Sequence, residues 1–389
     1  MRIRPAVRIL CLLLLTMSAM ASCAISEYVS PVKRSTLLVY MAGNNTLGEN
    51  NAKSNVYSMK YSIRNGMDEV NLLVYLDVKG QNPMLLHIHD DRIDTVRTYP
   101  AQSSIDSRVL KNVIDEVLAD WQAQSYGLVM WSHGTGWLPT DKLSFVAPNL
   151  RYSQSRSFGQ EADTTGIRKY ACMELEDMAD AIPDNVFDYI LFDACYMGNI
   201  EVAYALRNKA RYIISSCYEI WDTGFPYYSV TKDLINGNLF KVCSGFYDYY
   251  DQMDESGRMA GISLVSTDRL EQLASDFRKL AADRQEAISN MDISDIQCFD
   301  RFDRHVFFDL ENVAEKIAAN DADLQAFKTD LERCVPYKNS TPYAFYGIDD
   351  SIRVERYCGL SVYIPLDVYE ESGLNGDYRR TAWSMATDY

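Results

Sequence analysis

A chain of 389 residues that is 47% hydrophobic and 24% charged carries enough apolar material for one large globular domain or two ordinary ones. Its formal charge of -16 excludes non-specific nucleic-acid binding, whose affinity comes largely from lysine and arginine on phosphates. A cationic or neutral partner fits better.

The N-terminus reads as an export signal. Arg2, Arg4 and Arg8 precede an apolar run from Ile9 to Met17, too short to span a bilayer, and small residues follow. Ala19-Met20-Ala21 suits an ordinary signal peptidase, whereas Met20-Ala21-Ser22-Cys23 resembles a bacterial lipobox. The short apolar run with a cysteine just beyond it favours the second reading: residues 1–22 are removed and Cys23 is lipidated as the new N-terminus. The expected location is the bacterial cell envelope, as an outer-membrane lipoprotein or periplasmic protein, or the exterior.

Residues 23–34 form a linker. Beyond it, buried strands alternate with amphipathic helices. Strands are expected at 36–41, 70–77, 84–89 (at a sheet edge), 126–132, 187–194 and 211–216. Helices are expected at 50–64, 172–182 and near 199–209, and at 106–121, where Val109, Val113, Ile114, Val117, Leu118 and Trp121 share a face. Nearly all-apolar strands spaced by helices imply a mostly parallel sheet covered on both faces, an α/β sandwich. The right-handed crossover rule then brings the carboxyl ends of the strands to one rim. Residues 35–235 are assigned to this core. From 236 to 389 the pattern is mostly helical, with helices at 267–288 and 309–319, an alternating segment at 359–364 and a terminal helix through Trp383, Ala386 and Tyr389.

Chemistry-bearing residues gather on that rim. His133 follows the strand 126–132 directly, in Ser132-His133-Gly134-Thr135-Gly136-Trp137, and Cys195 follows 187–194. A thiol just ahead of a helix start at Gly198-Asn199 is helped toward thiolate by the helix's positive end, and one nearby imidazole suffices to activate it. Backbone N–H groups of Gly134 and Cys195 are candidates for an oxyanion hole, each such donor contributing about 3 kcal/mol. Setting aside Cys11 and Cys23, seven cysteines remain, Cys172, Cys195, Cys217, Cys243, Cys298, Cys334 and Cys358, without CxxC or regular spacing. This signals neither a zinc site nor a dense disulfide framework. His87 and His89 share one strand face and lack a third ligand at matching spacing, and His305 sits in no motif.

Several stretches resemble the clostripain-like cysteine peptidases, of the clan that includes caspases, legumains and gingipains. They are Tyr40-Met41-Ala42-Gly43-Asn44-Asn45-Thr46-Leu47, Trp131 to Trp137, Phe192-Asp193-Ala194-Cys195-Tyr196-Met197-Gly198, Ile200 to Tyr204, Gly224-Phe225-Pro226-Tyr227, Phe308-Asp309-Leu310 and Gly359 to Pro365. The resemblance implies a caspase-like fold, His133 as catalytic base, Cys195 as nucleophile and cleavage of proteins after basic residues, arginine before lysine. Asp193, two residues before Cys195 on a strand, shares the sulfur's side and would select that basic side chain by charge-assisted hydrogen bonding. Glu219 and Asp222 are further pocket candidates. The resemblance also implies activation by cleavage in the 138–165 loop, where Lys142, Arg151 and Arg156 are the basic residues available. Family members often carry acids in the first turn, where this chain has Gly43, Asn44 and Asn45; no cofactor is required, and calcium, though conceivable, has no support here. The protein is expected to be a monomer. The principal alternative is a catalytically silent binding lipoprotein of the same fold. A thioesterase or transpeptidase would use the same dyad with a different acceptor.

Overall fold

The apolar runs become the inner strands of one nine-stranded sheet. In chain order the strands are β1 (Lys33–Gly43), β2 (Val70–Val78), β3 (Met84–His89), β4 (Arg92–Thr98), β5 (Ala123–Trp131), β6 (Phe187–Asp193), β7 (Ala210–Ser215), β8 (Gly261–Ser266) and β9 (Tyr337–Ser340). Across the sheet they run β9-β8-β7-β6-β5-β1-β2-β3-β4. The inner strands β2, β1, β5, β6 and β7 pair in parallel, and antiparallel strands flank them on both sides. The computed structural model describes residues 32–148, 158–159, 161–162, 170–347 and 351–389. Residues 1–31, with the export signal and Cys23, therefore lie outside the described residues.

Period-two alternation sends the side chains of β1 to opposite faces. Leu38, Tyr40 and Ala42 enter one core, with Leu110, Val113, Ile114 and Val117 of α2 (Ser107–Asp120). Leu37, Val39 and Met41 enter the other, with Val56, Met59 and Ile63 of α1 (Lys53–Ile63). Each such side chain taken out of water contributes about 2 kcal/mol. The first face also receives α3 (Leu175–Ala181) and α4 (Ile200–Ala205), the second α5 (Tyr227–Ile235) and α6 (Leu239–Asp251). The α/β sandwich with a mostly parallel sheet is therefore the fold of the chain. Lys33–Tyr389 makes one compact unit, and the stretch after 236 supplies β8 and β9 as well as α7 (Leu270–Ala281), α8 (Leu310–Ile317), α9 (Asp321–Cys334) and α10 (Ala382–Thr387).

Some elements differ from expectation. The strand 84–89 is not at the edge, because β4 covers it; β4 reads RIDTVRT and is largely exposed, too polar to stand out as a strand. The helix expected through 288 ends at Ala281, where Asp283 takes a left-handed φ of 58°. Of 359–364 only Ser361–Val362 pairs, with Phe308–Asp309. Among the described residues no helix is long and apolar enough to cross a membrane.

Candidate active site

β5 and β6 pair in register from Gly127 opposite Tyr189 to Trp131 opposite Asp193. Ser132 extends the ladder by one bond, its N–H donating to the Asp193 carbonyl at 3.2 Å. Its hydroxyl donates to the Ala42 carbonyl at the end of β1 (2.6 Å). His133 and Cys195 thus leave adjacent parallel strands at the same height, each two residues past the last pair, and both line one cavity of about 150 Å³.

The turn after Cys195 is strained. Tyr196 takes φ 58°, a left-handed conformation that disfavours a residue with a Cβ. Its N–H donates to the Tyr218 carbonyl (3.2 Å), its hydroxyl to Glu219 Oε1 (3.2 Å), and its ring stacks on Phe307 at 5.1 Å. Asn199 then caps α4: its Oδ1 accepts the Val202 N–H (3.0 Å) and its Nδ2 donates to the Tyr196 carbonyl (2.6 Å). The turn after His133 packs directly on this one. A Cβ at Gly134 would stand 2.5 Å from the Cys195 carbonyl oxygen, so only glycine lets the two turns meet.

The sulfur and the imidazole differ in their partners. Cys195 Sγ accepts the Ile220 N–H at 3.3 Å and, as a thiol, faces the Ile220 carbonyl at 3.6 Å. An N–H directed at sulfur favours the charged form. Burial pushes the His133 pKa down to about 4, and its Nε2 is buried without a hydrogen-bond partner. At neutral pH the ring is therefore the uncharged imidazole, the form able to take up a proton.

Asp193 forms part of the cavity wall and is 4% exposed. Its Oδ2 accepts the Tyr227 hydroxyl (2.8 Å) and the Phe225 N–H (3.2 Å). Gly224, at φ 66°, brings the loop so close that a Cβ there would lie 2.5 Å from Oδ2. The Gly224-Phe225-Pro226-Tyr227 stretch is thus the cradle of this carboxylate. Burial raises the Asp193 pKa to about 6, against the lowering effect of the Tyr227 and Phe225 bonds, so the group is largely an anion at pH 7. Glu219 also lines the cavity, but Arg301 grips it through Nε and Nη2 at 3.2 Å each, which matches its charge. Asp222 is exposed at the mouth.

The remaining candidates lie elsewhere. Lys142 donates to the Ser372 carbonyl (3.1 Å) and pairs with Asp377 (3.4 Å), its side chain only 18% exposed. Arg151 and Arg156 lie outside the described residues. His87 stacks on His89 at 4.5 Å, burial lowering its pKa to about 4, and His89 Nε2 pairs with Asp94 at 2.8 Å. Among the described residues no three His, Cys, Asp or Glu side chains converge as a metal site. Sequence reasoning missed Arg301, Ile220, Trp221 and Leu47, which complete the cavity. The doubled triplet Phe299-Asp300-Arg301-Phe302-Asp303-Arg304 was the available signal for the first; the Ile220 contact is made by backbone and leaves no trace in side-chain type.

A thiol and an imidazole at neighbouring tips of a mostly parallel sheet, above a buried carboxylate, define a cysteine peptidase of the caspase-like kind. The clostripain family matches residues 39–387, and the chain belongs to that family. It is similar to an inactive zymogen C11 protease from Parabacteroides distasonis, with 32% identity, 92% of this chain and 99% of that chain covered, and a TM-score of 0.78. It is also similar to a secreted C11 cysteine protease from Bacteroides thetaiotaomicron solved with an irreversible peptide inhibitor (31% identity, 91% and 99% covered, TM-score 0.75). Clostripain of Hathewaya histolytica is 25% identical over 197 residues, which are 48% of this chain and 32% of clostripain. The chain thus matches about a third of the length of that curated relative.

Proposed function

We propose that this protein is an exported endopeptidase that cuts proteins after arginine and lysine using Cys195 and His133. The observation that carries the reading is the register Trp131 opposite Asp193, which sets both groups at equal overhang on one cavity wall. The Cys195 sulfur attacks the scissile carbonyl while His133 receives the thiol proton. The oxyanion that forms is held by the N–H groups of Gly134 and Cys195. His133 then passes its proton to the departing amine, leaving an acyl-enzyme that water resolves with the imidazole as base. Asp193 binds the basic side chain through the lone pairs that Tyr227 and Phe225 leave open, and Asp222 adds negative charge at the mouth.

Thiol and imidazole supply nucleophile and proton carrier, so the chemistry calls on no cofactor. The zymogen relative from Parabacteroides distasonis supports activation by self-cleavage within 138–165. Lys142 is held by Asp377 and Ser372, which favours Arg151 or Arg156 as the cut site. Export, with a lipid on Cys23, rests on the N-terminal sequence and on the secreted relative from Bacteroides thetaiotaomicron. Profiling a fluorogenic peptide library with the wild type and Cys195→Ala tests the reading. Arginyl and lysyl amides should be cut by the wild type alone; cleavage of neither by the activated wild type would instead mark a silent binding protein.

A further inference from the structure

The strained turn after Cys195 is held from two sides. On one side lies the segment Tyr218-Glu219-Ile220. The Tyr218 carbonyl accepts the Tyr196 N–H at 3.2 Å, Glu219 Oε1 accepts the Tyr196 hydroxyl at 3.2 Å, and the Ile220 N–H points at the Cys195 sulfur at 3.3 Å. Three consecutive residues thus fix the peptide that follows the nucleophile, the side chain beyond it and the thiol itself. On the other side lies the antiparallel return 297–309, closed by the Phe299 N–H on the Phe307 carbonyl and the Asp309 N–H on the Gln297 carbonyl, both at 2.9 Å. Buried Asp300 fastens the return from within, accepting the N–H groups of Phe302 (3.1 Å), Val306 and Phe307 (2.9 Å each). The return presents Phe307 and Phe302 to the Tyr196 ring, at 5.1 and 5.4 Å between centroids, and its Arg301 donates to Glu219 through Nε and Nη2 at 3.2 Å each. The Arg301 guanidinium is itself laid over the Phe345 ring, 4.0 Å from its centroid.

Glu219 is the joint between the two sides. Its two oxygens take three donors, one from the Tyr196 hydroxyl and two from Arg301, and the side chains of Arg301 and Glu219 are only 18% and 23% exposed. Although Glu219 lines the catalytic cavity, a guanidinium of the protein already meets its charge, so it is poorly placed to bind a substrate cation. A left-handed residue with a Cβ persists only where its surroundings over-determine it, and a two-pronged ion pair sets direction as well as distance. We propose that Arg301 and Glu219 are positioning residues of the peptidase: acting through the Tyr196 hydroxyl and the Ile220 N–H, the pair fixes the Cys195 sulfur against the scissile carbonyl. The proposal rests on the reading of Cys195 as the nucleophile. It gives the stretch beyond residue 236 a part in turnover, because the return delivers Arg301, Phe302 and Phe307 together, and it makes Glu219 a group that acts without touching the substrate.

The test uses the full, activated chain as wild type, Arg301→Ala, Arg301→Lys, Glu219→Gln, Tyr196→Phe and the double variant Arg301→Ala with Glu219→Gln. Exhaustive labelling of a parallel aliquot with an arginine-directed peptidyl chloromethyl ketone counts the competent sites. Turnover of an arginyl amide is then expressed per labelled site, so a partly folded or partly activated sample does not pass for a slow one. Arg301→Ala and Glu219→Gln should each lower kcat about tenfold with KM nearly unchanged, and the double variant should fall little further. Tyr196→Phe, which loses one hydrogen bond, should lower kcat about fivefold. Arg301→Lys keeps the charge without the fork and should recover part of the loss. Because Arg301→Ala could misfold, Glu219→Gln and Tyr196→Phe, which preserve side-chain shape, carry the test independently. Wild-type kcat in both of those variants, a rise in KM at constant kcat, or additive losses in the double variant would each overturn the proposal while leaving the dyad in place. Labelling of the wild type away from Cys195 would overturn the reading of the site and the proposal with it.

Discussion

Trp131 and Asp193 face each other as the last paired residues of β5 and β6, and His133 and Cys195 follow two residues beyond each. Equal overhang from two parallel strands is a rigid way to hold two side chains at one height, since neither strand can slide without breaking the ladder from Gly127 to Trp131. Loops alone would not hold the pair to the tolerance that proton transfer asks of it.

Removing either member of the pair should stop turnover while sparing the fold. Cys195→Ala and His133→Ala are each expected to lower kcat by about 10⁴-fold, and the double variant by little more, because the two act as one unit. Steady-state kinetics on an arginyl amide, with thermal midpoints as control, check this; additive losses would separate the two residues.

Asp193 should govern the choice of substrate. Asp193→Asn is expected to cut kcat/KM for an arginyl amide about a hundredfold, through loss of a buried charge pair, and to leave a substrate with a neutral side chain nearly unchanged. The pH profile carries a sign. An acid with its pKa near 6 gains a proton as pH falls through that value, so attraction for a cationic side chain is lost below about pH 6. His133, neutral until about pH 4, contributes only at lower pH. A wild-type arginyl profile flat between pH 7 and 5 would contradict this assignment.

Gly134→Ala tests the contact between the two turns. Its Cβ would fall 2.5 Å from the Cys195 carbonyl oxygen and 3.0 Å from Ala194 Cβ, forcing apart the groups that flank the oxyanion. The expected loss is about a hundredfold in kcat with KM little altered, as for removal of an oxyanion donor.

Glu201, fully buried in the first turn of α4, accepts the Tyr363 N–H at 2.9 Å through Oε1 and leaves Oε2 buried without a partner. Burial pushes its pKa from 4.5 to about 8. The folded protein therefore keeps the proton that the unfolded chain releases near 4.5, and stability declines as pH rises between those two values, by at most about 1.4 kcal/mol per unit. Glu201→Gln should remove that slope and raise the melting temperature at pH 8 relative to the wild type. A parallel shift at all pH values would refute the ionisation argument.

The strand tips were the legible part of this protein. His133 and Cys195 each close an apolar run of the right length, and glycines beside them announce turns, so pattern and chemistry coincide there. Arg301 was missed because the doubled Phe-Asp-Arg triplet does not say where it packs, and it arrives from a return more than a hundred residues downstream of Cys195. Nothing in the sequence marks the burial of Glu201, which comes from the enclosure of α4 by the terminal segment, with Trp383 packed on Tyr204. β4 escaped because an exposed edge strand has no buried face to impose an apolar period.

Covalent capture is the most direct test of the central claim. An arginine-directed peptidyl chloromethyl ketone, incubated with the activated wild type, Cys195→Ala and His133→Ala, is followed by peptide mapping. The account predicts one equivalent bound to Cys195 in the wild type, much slower labelling of that residue in His133→Ala, and no arginine-dependent adduct in Cys195→Ala. Labelling at another residue, or a rate at Cys195 indifferent to His133, would contradict it.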